Sequence, residues 1–176
     1  MTSDSTSEQS TQIVSATVRA RAIALIVLII TFDQITKLYF HTQFTYLERV
    51  NVLPFFDWIL TYNTGAAFSF LASAGGWQRW FFIALAIGVS IWCVRWMKRE
   101  PDSRVRLALT LIVGGAIGNV IDRIWLGKVI DFILIYWEPW NFYYPAFNLA
   151  DSAITVGAAV MIWSAIFPRS QPGENK

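Results

Sequence analysis

Histidine and cysteine are almost missing from this chain, which has one of each, His41 and Cys93, in 176 residues. A lone cysteine allows no internal disulfide, and no Cys/His spacing suited to a metal is present. One histidine rules out a metalloprotease motif of the H-E-x-x-H kind and leaves no basis for a His-based triad. Charge is also scarce: Asp, Glu, Lys and Arg make up 15% of the residues, against about 25% in soluble domains. The net charge of +2 is too small for a nucleic-acid footprint. G-x-S-x-G elbows, P-loops and internal repeats are absent as well.

What remains is apolar and aromatic. Hydrophobic residues make up 55% of the chain, with nine Trp and thirteen Phe. Four apolar runs approach the ~20 residues that a spanning helix needs. They are centred on residues 22–40, 76–97, 107–125 and 152–167. The first merges into Asp33 and Lys37 with no small-residue cleavage site, so it reads as a retained span rather than a cleaved signal. The Ser-, Thr- and Gln-rich residues 1–17 read as a disordered cytoplasmic tail. Residues 18–168 read as a single membrane-embedded domain, and 169–176 as a second cytoplasmic tail.

Lys and Arg set the orientation. Arg19 and Arg21 precede the first span; Arg95, Lys98, Arg99, Arg104 and Arg106 cluster between the second and third; Arg169 and Lys176 follow the fourth. The positive-inside rule therefore places both termini in the cytoplasm. The loops at about 41–75 and 126–147 face outward. In or beside them stand Tyr46, Trp58, Tyr62, Trp77, Trp137, Trp140, Tyr143 and Tyr144, residues suited to the headgroup layer. Residues 45–70 mix β-favouring residues with Pro54 and Gly65, which predicts short strands.

The ionisable residues collect at one depth. Asp33 lies roughly 16 Å into the first span and Asp122 roughly 22 Å into the third, while Asp151 opens the fourth. With alternating helix directions, all three lie toward the outer face. Intramembrane charges are costly and point to function by default. Each also has a structural reading. Asp33 and Lys37, at i and i+4, either neutralise each other or face a substrate. Asp122 beside Arg123 reads as a structural ion pair. Asn119 shares their helix face. Gly114, Gly115 and Gly118 suit close helix packing. Asn148 suits the N-cap of the fourth helix, with Asp151 near N3. Asp131 is harder to explain structurally, since it sits among Val129, Ile130, Phe132, Ile133 and Leu134, where a carboxyl pKa should rise. Two neighbouring carboxylates sharing one proton can hydrolyse a peptide bond, one as base and one as acid. The residues alone leave Asp122, Asp131 and Asp151 open as members of such a pair.

Five blocks in order make the family visible. They are Asp33-Gln34-Ile35-Thr36-Lys37; Asn63-Thr64-Gly65-Ala66-Ala67-Phe68-Ser69; the run from Gly114 to Arg123 containing Asn119 and Asp122; Val129-Ile130-Asp131-Phe132; and Phe147-Asn148-Leu149-Ala150-Asp151-Ser152. Over about Ala22 to Phe167 the chain resembles the bacterial lipoprotein signal peptidases (signal peptidase II), with no departure at the motif positions. The resemblance implies an aspartyl endopeptidase of the inner membrane without cofactor or metal. Such an enzyme removes signal peptides from prolipoproteins, cleaving before a diacylglyceryl-modified cysteine at the outer leaflet. It implies Asp131 and Asp151 as the dyad, and Asp33, Lys37, Asn63, Gly65, Asn119, Asp122, Arg123 and Asn148 as supporting or substrate-contacting residues. It further implies an all-α, four-span fold with a small β-cradle in the first outer loop and a short mobile helix in the second. The partners expected are prolipoprotein signal peptides and membrane lipids, with no nucleic acid, around a monomer. The rivals are a small proton-coupled transporter, which would place carboxylates on both sides of the midplane, and a lipid-modifying transferase, which would show metal- or phosphate-binding clusters.

The charge asymmetry makes a topological prediction. Reporter fusions at Asp102 and at the C-terminus should read as cytoplasmic, and fusions within Tyr46–Asp57 or Lys128–Tyr144 as external. A cytoplasmic reading at Lys128 would overturn the depth argument.

Overall fold

The computed structural model describes residues 15–65 and 76–168. Most of the two expected tails, together with Ala66, Ala67, Phe68 and Ser69 of the second block, lie outside the described residues. Four helices are long and apolar enough to cross a membrane: α1 (Ala16–Gln43), α2 (Trp77–Met97), α3 (Ser103–Trp125) and α4 (Leu149–Ile166). Three of the four starts have a side-chain cap. Ser15 caps α1 by accepting from the Val18 amide, and Asp102 caps α3 by accepting from Arg104. Asn148 and Asp151 form a reciprocal capping box at the head of α4.

The bundle is built around α3, which packs against the other three helices. Its inward face is made of small residues, and the contacts show why. A Cβ on Gly115 would collide with the Ala150 carbonyl oxygen. One on Gly118 would lie 2.6 Å from the Asp33 carboxylate and 3.3 Å from the Ala150 Cβ. The helix backbones can approach this closely only where side chains are absent. The outward faces of α1, α2 and α4 expose Val27, Phe32, Leu85, Trp92, Ile162 and similar side chains, as a lipid-facing surface requires.

At one end of the bundle lies a four-stranded antiparallel sheet. β1 (Arg49–Leu53) and β2 (Phe56–Asn63) form a hairpin that turns at Pro54 and Phe55, as the β-favouring composition of residues 45–70 predicts. The second loop contains a short helical element, one 3-10 turn (Glu138–Trp140), and it also extends the sheet, with β3 (Val129–Trp137) and β4 (Phe142–Tyr143) giving the order β1-β2-β3-β4. The reason for the strand lies in the residues of β3, Val-Ile-Asp-Phe-Ile-Leu-Ile-Tyr-Trp, nearly all β-branched or aromatic. The sheet rests on the end of α1 through Phe40, Leu60, Ile130 and Phe132, with the Phe40 and Phe132 rings stacked at 4.5 Å. Buried Asp57 ties the strands together, accepting from Arg49, Asn51 and the Tyr136 hydroxyl.

One backbone bridge sets the geometry of everything that follows. Ile133 and Phe147 exchange amide–carbonyl hydrogen bonds of 2.9 and 3.0 Å. This holds the head of α4 against the middle of β3. Side chains alternate along a strand. With Ile130 and Phe132 in the core, Asp131 therefore faces the other way, on the same side as Ile133 and Ile135.

The tight α3 contacts predict that Gly118→Ala lowers thermal stability by about 1–3 kcal/mol, measured in detergent. Gly88→Ala, at a position with open space around it, should leave stability unchanged or slightly raised. Equal effects at the two positions would show that α3 packing is not the constraint.

Candidate active site

The polar residues of the spans converge on Lys37, which is 1% exposed. Its ammonium lies 2.8 Å from Asp33, 3.0 Å from Asp122 and 2.9 Å from the Asn119 amide oxygen. Three N–H donors thus meet three acceptors, which is the full capacity of an ammonium. The carboxylates are satisfied in turn. Asp33 accepts from the Ala150 amide at 2.9 Å, and Asp122 from the Ile130 amide at 3.1 Å. The Gln34 side chain donates to both Asp33 and Asp122.

The i, i+4 pairing of Asp33 with Lys37 is therefore present, but the expected Asp122–Arg123 pair is not. Asp122 pairs with Lys37. Arg123 donates to the Asn119 carbonyl at 3.3 Å and lies over the Phe82 ring at 5.2 Å. Adjacent helical residues point about 100° apart and do not face each other, so Asp122 turns into the bundle and Arg123 turns toward α2.

Two amides carry the network outward. Because the Asn119 oxygen is held by Lys37, its NH₂ faces Asp151, donating at 2.7 Å. The Asn148 oxygen accepts from the Asp151 backbone amide at 2.8 Å, so its NH₂ is free to donate to Asp131 at 2.7 Å and to the Asn119 oxygen at 3.2 Å. Asn63, at the end of β2, also hydrogen bonds to Asp131. Its own oxygen accepts from the Gly65 amide at 2.8 Å. Gly65 has φ +92° and turns the chain so close to α2 that a Cβ would strike the Phe82 ring. All ten residues expected from the sequence thus lie in one connected region, with Arg123 at its α2 side.

Asp131 and Asp151 differ in environment. Asp131 is 2% exposed. Burial, and then the charge of Asp151, push its carboxyl up to about 7, against the opposing pull of Asn148, Asn63 and Lys37. Asp151 is half-buried and borders a cleft of about 420 Å³, whose other walls include Ile135, Phe142, Tyr144, Phe147 and Val156. The cleft is apolar except where Asp151, Ser152 and Thr155 enter it.

Sequence reasoning passed over two residues. Gln34 stands beside Asp33 at the same depth, and an amide inside a span is a signal in its own right. Phe82 left no signal, since it is one of many aromatic residues on α2.

Four apolar spans enclosing a pair of amide-tethered carboxylates, one buried and one facing an apolar cleft, define a class: the aspartic peptidases embedded in a membrane. The comparisons name the branch. The family model for signal peptidase (SPase) II matches residues 25–167. A lipoprotein signal peptidase of Pseudomonas fluorescens is 50% identical over 153 residues, covering 85% of this chain and 89% of that one. That of Pseudomonas aeruginosa is 49% identical over 151 residues, covering 84% and 88%. A solved structure described as a bacterial membrane enzyme superposes with a TM-score of 0.75 at 29% identity, covering 89% of this chain and 94% of that one. The chain belongs to the signal peptidase II family, and it is a multi-pass protein of the bacterial inner membrane.

The Lys37 geometry predicts a hierarchy of stability. Lys37→Met should cost about 3–5 kcal/mol, because it leaves buried carboxylates without their cation. Adding Asp33→Asn should recover part of that loss. Arg123→Gln should cost less than Lys37→Met, since Arg123 acts on Asp151 and Asp131 at longer range rather than through a salt bridge. Denaturant unfolding of the wild type, these three variants and the Asp33→Asn single variant tests this, and strict additivity of the double change would show that Lys37 and Asp33 act independently.

Proposed function

We propose that Asp131 and Asp151 are the catalytic dyad of a prolipoprotein signal peptidase, with Asp131 carrying the shared proton at neutral pH. The observation behind this is the asymmetry of the pair: a fully buried carboxyl raised to about 7 beside a half-buried one at the mouth of an apolar cleft. Asp151, ionised, takes a proton from a water molecule, whose oxygen attacks the scissile carbonyl carbon. Asp131 donates its proton toward the carbonyl oxygen as negative charge develops there. When the tetrahedral intermediate collapses, the C–N bond breaks, the proton on Asp151 passes to the leaving amine, and a hydroxyl proton of the intermediate returns to Asp131 as the carbonyl re-forms. Asn119 and Asn148 hold the two carboxylates in place, and the Lys37 network holds the amides.

The cleft suits a substrate that is largely hydrocarbon. A diacylglyceryl-cysteine is retained in the outer leaflet by its acyl chains, at ~0.8 kcal/mol per buried CH₂. That remote binding energy can position the peptide for attack. Together with the Lys/Arg asymmetry, this supports cytoplasmic termini and a site facing the periplasmic side. Residues 18–168 act as one domain and the chain works as a monomer among membrane lipids. The transporter reading is disfavoured because the acidic residues of the spans, Asp33, Asp122 and Asp151, lie toward one end of the bundle, with no acidic counterpart across the midplane among the described residues.

Turnover of a fluorescent lipopeptide by purified protein tests the proposal. Asp131→Asn and Asp151→Asn should each lower kcat by at least roughly 10²–10⁴-fold, and the double variant little further, since groups acting as a unit are non-additive. A peptide lacking the diacylglyceryl group should be cleaved far more slowly. In the wild type, activity should fall as pH rises past about 7 and Asp131 ionises. The linkage has the matching sign. A carboxyl raised in the folded state adds stability fully present below its unfolded pKa near 4 and lost as pH rises through 7. Asp131→Asn should therefore be more stable than wild type at pH 8. Substantial cleavage by a folded Asp131→Asn or Asp151→Asn protein would remove that residue from the mechanism.

A further inference from the structure

At the end of the bundle farthest from the carboxylate network, a narrow groove runs between the first turns of α1 and the last turns of α2, against the start of α3. Its apolar lining includes Ala22, Ile26, Val94 and Met97, and three cations line it as well: Arg19, Lys98 and Arg106. Among the described residues no acidic one lines it. The carboxylates of the adjoining α2–α3 loop are engaged elsewhere. Glu100 accepts from the Trp96 indole and the Asp102 amide, and Asp102 is paired with Arg104. Arg106 is held in place by donating from one nitrogen to the Glu100 and Pro101 carbonyls, at 2.8 and 2.6 Å. The rest of its guanidinium remains available to a ligand.

The shape and charge together select a ligand chemistry. A space of about 140 Å³ is well below the ~300–1,000 Å³ of an ordinary small-molecule pocket, but an open groove of this kind suits one hydrocarbon chain. Three cations and no acidic residue among the described lining call for an anion joined to that chain. The groove also lies where packing is thin, since α1 and α2 are held together chiefly through α3. We propose that this groove is a binding site for one anionic glycerophospholipid, its phosphate held by Arg19, Lys98 and Arg106 and one acyl chain lying along Ala22, Ile26 and Val94. The bound lipid joins α1 to α2 at the end of the bundle where no sheet ties the helices together. With cytoplasmic termini, the site takes its ligand from the inner leaflet.

Cations at this end are also expected from the positive-inside rule alone, so the test must separate a site from diffuse charge. Native mass spectrometry of the full-length protein in detergent, titrated with phosphatidylglycerol, phosphatidylcholine or inorganic phosphate, makes the separation. One phosphatidylglycerol adduct should persist at concentrations where phosphatidylcholine gives none, and inorganic phosphate should not displace it. The variant Arg19→Gln/Lys98→Gln/Arg106→Gln should lose roughly ten- to hundredfold in affinity. The charge-matched variant Arg21→Gln/Arg95→Gln/Arg99→Gln should lose little. Ala22→Trp, which fills the groove and keeps every cation, should also lose the lipid. Two single-site measurements cover the case in which the triple variant does not fold: Ala22→Trp, and Arg19→Gln on the exposed first turn, each checked by thermal unfolding. Equal binding of the two lipids, equal loss in the two triple variants, displacement by phosphate, or unchanged affinity in folded Arg19→Gln and Ala22→Trp would overturn the proposal.

Discussion

An ammonium buried inside a membrane bundle must find an acceptor for each of its protons, and the arrangement of this protein follows from how Lys37 does so. A charge in a low-dielectric interior is tolerated only with close partners and complete hydrogen bonding. Asp33 comes from the same helix, while Asp122 and Asn119 come from α3, so the position of α1 against α3 is fixed by charge as well as by packing. Asp33 then accepts one free amide in the first turn of α4, that of Ala150, and Asp122 accepts the amide of Ile130 at the start of β3. One cation thereby keys three helices and the roof of the site to each other.

The same interaction sets the direction of the amides. Asn119 has one oxygen and one NH₂, and committing the oxygen to Lys37 commits the NH₂ to Asp151. Asn148 has its oxygen committed to the α4 cap, and so offers its NH₂ to Asp131. For Asp131 the amide donors favour the ionised form, while burial and the charge of Asp151 oppose it more strongly. In the proposed dyad the two carboxylates share one proton. The capping box at Asp151 carries part of the cost, since a carboxylate at N3 of a helix is favoured by the helix dipole and by its own contact with the cap amide.

Much of this was readable from the residues, and the parts that were not share a cause. Spans are legible because hydrocarbon thickness imposes a run length. The depth of Asp33, Lys37 and Asp122 is legible because rise per residue is constant. The α4 cap is legible because its signal lies within four residues. Azimuth is less accessible: Asp122 was paired with its neighbour Arg123, although the helix turns the two apart. Gln34 was overlooked because its role appears only when α1 is set against α3. The strand character of residues 129–137 is present in their β-branched and aromatic composition, and the short helical turn implied by the resemblance follows it at Glu138–Trp140. The register that places Asp131 beside the α4 cap depends on the Ile133–Phe147 bridge, a pairing between distant segments that no local pattern encodes.

Depth and polarity are graded along the axis of the site. The fully paired charges, Lys37 with Asp33 and Asp122, lie within the spans, where an unpaired charge would be least tolerable. The proposed dyad lies one layer out, under β3 and at the head of α4, with Asp131 enclosed and Asp151 partly open to the cleft. A hydrolytic site needs a charged base and access for water, and both weaken a membrane bundle if placed at its centre. Putting the base on a helix cap at the rim, and tethering it through amides to a saturated ion cluster below, separates the two demands. The cluster supplies rigidity without exposure, and the rim supplies exposure without an unpaired charge in the core. On this reasoning a substitution in the cluster acts on the reaction by moving the amides, whereas one in the dyad acts on the reaction directly.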